Sequence, residues 1–178
     1  EISLGLVGSG DVYKRQPLAE DAGWVPFESD TVKNIEFGVK GALADGTYYN
    51  LSYFMVDWDN PQLNTSTPVN GYYAVVNGDT AQINGFDVEL SGSAGAIDWN
   101  VGYSNKNARL SSDFYTPADT PVLYARSGAK LPGSPDHTFN LNLAHTSYFG
   151  KTDDILSGMG MVNRLDLYAQ SSTRNYIG

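Results

Sequence analysis

From Asn34 to Leu43 the chain alternates in side-chain character, with Ile35, Phe37, Val39 and Leu43 on one side and Asn34, Glu36, Gly38, Lys40 and Ala42 on the other. A period of two sends successive side chains to opposite faces of a strand, so the segment predicts a β-strand with one apolar and one polar face. A second alternation follows across Asp45-Gly46, setting Tyr49, Leu51, Tyr53 and Met55 against Tyr48, Asn50 and Ser52. Asp-Gly between alternating segments predicts a hairpin on a two-residue type I′ turn, which needs positive φ at both central positions. Thr31 to Asp57 thus reads as one hairpin, its first arm roughly fourteen residues or about 46 Å long, whereas the common strand has about 5 to 6 residues. Phe54 and Val56 interrupt the polar side, which predicts either a bulge or contact with something inside a barrel.

The same design recurs. Gln82 to Gly92 sets Phe86, Val88 and Leu90 against Asp87, Glu89 and Ser91; Ile97 to Ser104 sets Ile97, Trp99, Val101 and Tyr103 against Asp98, Asn100, Gly102 and Ser104. Phe139, Leu141 and Leu143 oppose Asn140, Asn142 and Ala144, and Leu165, Leu167 and Ala169 oppose Arg164, Asp166, Tyr168 and Gln170. The connections run short, long (Asp59 to Thr80, with Tyr72 to Val76 as a strand candidate), short (Gly92 to Ala96), long (Asn105 to His137) and moderate (Phe149 to Met159). The expected fold class is all-β, an antiparallel meander of long strands forming an incomplete section of a transmembrane β-barrel, with short periplasmic turns and long extracellular loops. Its polar side predicts lumen-facing charges at Glu36, Lys40, Asp87, Glu89, Arg164 and Asp166. Tyr48, Tyr49, Trp99 and Trp58 fall where interface girdles belong. A soluble antiparallel sandwich also alternates and is the competing fold.

Composition narrows this picture. The 178 residues carry a net charge of −9 without a Lys/Arg cluster, which argues against a nucleic-acid partner. With no cysteine, thiolate metal sites, disulfides and cysteine nucleophiles are excluded. No apolar run approaches the roughly 18 residues of a transmembrane helix, whereas a barrel is compatible with the mean hydropathy of −0.31. Residues 1–16 depart from the pattern: their glycines have neither phosphate-loop spacing nor a following Lys-Ser/Thr. SGDVYKRQ within them resembles read-through appended to gene fragments, so residues 1–16 are expected to be an extension and 17–178 the fold.

Candidate chemistry is sparse. Asp57, Asp59 and Asn60 suggest calcium, but Gln62 and Pro68 stand where an EF-type loop needs Gly and Glu. Asp87 and Glu89 share a strand face about 7 Å apart, a spacing compatible with an inverting glycosidase pair. Lumenal charge balanced by Lys40 or Arg164 is the simpler reading. His137 and His145 lack partners at ligand spacing, and His137 fits the start of a strand. Asn50 and Asn64 match glycosylation sequons, the first of them within a strand. No catalytic residue, metal site or cofactor is expected. Tyr72, Tyr73, Tyr115, Tyr124 and Arg126, in the long connections, suit stacking and anion contacts and are the candidate ligand-contact residues.

Four segments resemble the C-terminal barrel section of TonB-dependent outer-membrane receptors: ESDTVKNIEFGVKG (Glu28 to Gly41), SYFMVDWDNPQL (Ser52 to Leu63), VVNGDTAQINGFDVEL (Val75 to Leu90) and GAKLPGSPDHTFNLNL (Gly128 to Leu143). The resemblance implies a fragment of an active transporter in the bacterial outer membrane. It implies uptake of a scarce ligand (a metal chelate as in siderophore uptake, cobalamin or a glycan), with outer-membrane lipid and the TonB energy-transducing complex as partners. The expected plug and TonB-contact box have no counterpart in the sequence, and about six strands are too few for a barrel of roughly 22. The alternative function is a soluble β-sandwich carbohydrate-binding module with Trp58, Tyr72 and Tyr73 as a platform.

Overall fold

The computed structural model describes residues 27–66, 73–116, 121–149, 158–175 and 177. Ten strands are present among them: β1 (Thr31–Ala42), β2 (Tyr48–Asp59), β3 (Gln62–Ser66), β4 (Tyr73–Asn77), β5 (Thr80–Ala94), β6 (Ile97–Leu110), β7 (Phe114–Tyr115), β8 (Leu123–Ala125), β9 (His137–Tyr148) and β10 (Gly160–Gln170). The long strands form one antiparallel six-stranded sheet in the order β1-β2-β5-β6-β9-β10, each neighbour being the next long strand along the chain. β3-β4 and β7-β8 are separate two-stranded hairpins inside the long connections. The sheet is open, with β1 and β10 as its edges. This is the expected incomplete barrel section.

The register carries the two faces across all six strands. One row runs Tyr49, Leu90, Val101, Leu141 and Leu167, and the next Val39, Leu51, Val88, Tyr103, Phe139 and Ala169. On the opposite face the rows are Lys40, Asn50, Glu89, Gly102, Asn140 and Tyr168, and then Gly38, Ser52, Asp87, Ser104, Thr138 and Gln170. The apolar face is left uncovered: Phe37 is 61% exposed and Val39 54%, values a water-soluble core does not show. From Ile35 to Leu43 the apolar side spans about 26 Å of strand, or about 20 Å of depth at a barrel tilt of about 40°. That matches the lipid-facing band of an outer-membrane barrel. No second sheet packs on this face among the described residues, so the β-sandwich expectation is corrected.

Two local expectations change. Asp45 is not at positive φ; Gly46 alone is, at 83°, while the Leu43 carbonyl accepts from Gly46 N and Leu43 N donates to the Thr47 carbonyl. The loop is therefore the three-residue type, a type I turn closed by a left-handed glycine, instead of type I′. Thr47 N donates to Asp45 Oδ1 at 3.0 Å, and this bond holds the carboxyl below the usual aspartate range. At Phe54 and Val56 the pairing with β5 continues unbroken, which removes the bulge. The Phe54 ring lies over Gly85, where an added Cβ would come within 2.8 Å of Cζ and would also overlap the Asn105 carbonyl. Glycine at this point of the facing strand is what admits the ring.

Burial is concentrated at the end of the sheet opposite the Gly46 turn. Leu63, Val76, Ala81, Ala108, Leu110, Phe114, Ala125, Leu131 and Ile177 form one cluster, joined by Trp58, Ile83, Tyr124 and Ala129. Both hairpins contribute: Leu63 and Val76 pair on β3-β4, and Phe114 and Ala125 on β7-β8. They fold over the face that carries Trp58, Ala81, Ile83, Ala108 and Leu110, which is the polar face of the rest of the sheet. Trp58 is thus on the inner side, packed into this cluster with Nε1 donating to Asp30 Oδ2 at 2.7 Å, and does not belong to an outer girdle. Tyr48 likewise shares the Asn50 face. Tyr49 and Trp99 do face outward, their rings lying over Gly41 and Gly92 of the neighbouring strands.

Candidate functional site

The charged residues expected to face a lumen all fall on one side of the sheet. Glu36 pairs laterally with Phe54, Lys40 with Asn50, Asp87 with Ser52 and Ser104, Glu89 with Asn50 and Gly102, Arg164 with Ala144 and Asp166 with Asn142. Among the described residues no salt bridge joins any two of them. Glu89 is met by an amide instead of Lys40 or Arg164: Asn100 Nδ2 donates to Glu89 Oε1 at 3.0 Å, and Asn140 Nδ2 donates to Asn100 Oδ1 at 3.2 Å. Asn142 Nδ2 donates to Asp166 Oδ1 at 2.9 Å. The wall is thus a polar surface in which side-chain amides bond to the carboxylates and to one another.

Asp57 and Asp59 are committed elsewhere. Gln82 donates to Asp57 Oδ1 at 3.0 Å, and Lys33 lies 3.7 Å from Asp59 Oδ2. Among the described residues no three His, Asp or Glu side chains converge as metal ligands. His137 opens β9, its Nδ1 2.8 Å from the Tyr103 hydroxyl.

The long connections are built around pairs that hold them in place. Lys130, 9% exposed, has Nζ 3.0 Å from Asp136 Oδ2, with Arg109 at 3.9 Å from the same oxygen. Lys130 Nζ also donates to the Ser172 carbonyl at 3.4 Å, and Gly133 N donates to the Arg174 carbonyl at 2.9 Å, so the tail after β10 is drawn against the second connection. At the other side Asn77 Nδ2 donates to the Glu28 and Asn60 carbonyls, tying the segment before β1 to the β3-β4 hairpin.

Between these two anchored regions a pocket of about 490 Å³ opens on the inner side, within the range of about 300–1,000 Å³ usual for small ligands. Trp58, Leu63, Ile83, Ala108 and Leu131 supply its apolar lining; Gln62, Asn64, Ser134, Arg174 and Asn175 supply polar groups. Of the expected contact residues, Tyr115, Tyr124 and Arg126 do not line it. Tyr115 is exposed, Arg126 is exposed, and Tyr124 is half-buried with its ring edge-on to Phe114 at 5.5 Å, a packing role. Tyr73 sits on β4 opposite Ser66, and Tyr72 lies outside the described residues. Sequence reasoning missed Arg174, which follows the last alternating strand and has no periodic signal of its own.

An open meander with an uncovered apolar face, a polar face and loops folded over one end is the architecture of an outer-membrane barrel wall. The family model described as TonB dependent receptor-like, beta-barrel matches residues 7–177. The chain belongs to this family of outer-membrane receptors and transporters. No curated protein and no solved structure matches it.

Proposed function

We propose that this barrel section serves an active transporter of the bacterial outer membrane, which captures a scarce ligand outside the cell and imports it with energy delivered through TonB. A metal chelate, cobalamin or a glycan is the class of cargo. The observation that carries the reading is the sheet itself, whose outward rows are apolar from β1 to β10 while the inward rows hold amides and charged groups. Such a wall lets a polar solute pass without contact with lipid. Glu36, Lys40, Asp87, Glu89, Arg164 and Asp166 then face the lumen. Tyr115 and Arg126, exposed on the β7-β8 hairpin, make first contacts at the extracellular mouth, joined by Tyr72 and Tyr73 of the other connection, with Tyr124 supporting them from the cluster.

Uptake by cells expressing the full receptor tests this reading, with a ferric chelate, cobalamin and oligosaccharides offered in turn. Accumulation of one of them that disappears when TonB is deleted is expected. Accumulation unchanged by that deletion, or fractionation of the receptor as soluble protein without detergent, would contradict it.

A further inference from the structure

We infer that the pocket beneath the β3-β4 hairpin binds a sugar ring bearing a carboxylate. This rests on the transporter reading and narrows its cargo to acidic glycans. The pocket has two unlike sides. Trp58, Ile83, Ala108 and Leu131 make an apolar floor set by the sheet and the buried cluster, so its shape is fixed before a ligand arrives. Trp58 is held further by its Nε1 bond to Asp30, which leaves the indole face as the part that can meet a ligand. Aromatic faces of this kind take the C–H side of a pyranose ring.

The rim has the complementary chemistry. Asn64, Ser134 and Asn175 line the pocket, and their side chains make no hydrogen bond to another described residue. Together they offer amide and hydroxyl groups that both donate and accept, which is what vicinal hydroxyls require. Arg174 stands beside them. Its backbone carbonyl is fixed by Gly133 N, while its guanidinium has no carboxylate partner among the described residues, although the chain carries a net charge of −9. Of the other basic groups near this end, Lys130 and Arg109 are held by Asp136 and Lys33 by Asp59. A free planar fork at the edge of an otherwise neutral polar rim recognises a carboxylate by paired charge-assisted bonds. An apolar chelate would leave this rim unmatched, and a cationic ligand would be repelled by Arg174.

The test uses the full receptor in detergent micelles, titrated with methyl β-D-glucuronide and with methyl β-D-glucoside, which differ at one carbon in carrying carboxylate or hydroxymethyl. Ligand-observed NMR reads binding directly and needs neither TonB nor transport, so its outcome stands apart from that of the uptake experiment. The glucuronide is expected to bind about tenfold more tightly or better, the worth of one charge-assisted pair. Arg174→Gln should bring the glucuronide to the level of the glucoside while leaving the glucoside unchanged. Arg174 is exposed, so the barrel should keep its heat-modifiable mobility in this variant. Asn64→Ala should weaken both sugars alike. Equal binding of the two sugars, no binding of either, or an unaltered preference in Arg174→Gln would overturn the assignment.

Discussion

Leu141 and Asn142 are neighbours in β9 whose side chains the register sends to opposite faces, so placing arginine at each in turn interrogates the two faces separately. Leu141 is central among the outward residues Phe139, Leu141 and Leu143, and its lateral neighbours are Val101 and Leu167. An arginine there meets no carboxylate, and near the bilayer midplane it should cost about 2–4 kcal/mol. Asn142 lies beside Asp166 on the inward face, already bonded to it at 2.9 Å. Arginine there exchanges a hydrogen bond for an exposed ion pair, a change within about 1 kcal/mol. The difference between the variants should therefore be at least about 1 kcal/mol, and it can be read from urea unfolding of the full receptor in lipid vesicles, followed by heat-modifiable gel mobility. Equal costs, or a larger cost at Asn142, would refute the assignment of faces.

Three other outcomes follow from local geometry. Gly85→Ala forces a Cβ against the Asn105 carbonyl and the Phe54 ring, so it should cost about 1–3 kcal/mol by the same unfolding assay, and trimming Phe54 to alanine should not restore it because the backbone clash remains. Lys130→Met removes the close partner of Asp136, leaving a partly buried carboxylate with only Arg109 at longer range; a loss of about 1–3 kcal/mol is expected, and Lys130→Met with Asp136→Leu should lose less. The Asp45 carboxyl has a lowered pKa in the fold, so its bond to Thr47 N contributes stability above the unfolded aspartate value near about 3.9 and loses it as pH falls through the lower folded value. The Thr47 amide resonance should report that acid transition and Asp45→Asn should abolish it.

The strands were legible because one physical demand, lipid on one side and water on the other, repeats along every one of them. The hairpin of β1 and β2 and the alternation of Ile97 to Ser104 follow directly from that demand, whereas β5 runs on to Ala94, leaving Gly95 and Ala96 of the expected Gly92 to Ala96 turn, and β6 runs on to Leu110. Facing was less legible where position along the chain competed with parity. Trp58 lies at the end of β2, where a girdle residue belongs, yet it is an even number of residues from Ser52 and so must share the inner face. Phe54 carried a readable signal in Gly85, its lateral partner, but that pairing depends on the register of β2 against β5, which the long connection between them does not fix. The hairpins β3-β4 and β7-β8 are short, and their residues answer to the cluster under them instead of to a two-sided environment. Deleting Ser112 to Arg126 to probe ligand capture would therefore remove Phe114 and Ala125 from that cluster as well. Point changes at Tyr115 and Arg126 are the cleaner probes. Lys130 gave no sign in the sequence of being buried, since its burial depends on Asp136 and on the tail after β10.

Nitroxide labels placed one at a time at positions 138–144 of β9, in the full receptor reconstituted in lipid vesicles, test most directly whether this sheet is a membrane wall. Collision with oxygen, which concentrates in lipid, is predicted to be high at 139, 141 and 143, and collision with a water-soluble nickel complex to be high at 138, 140, 142 and 144. Accessibility to the nickel complex at 141 equal to that at 142, or an alternation of the opposite phase, would contradict the account.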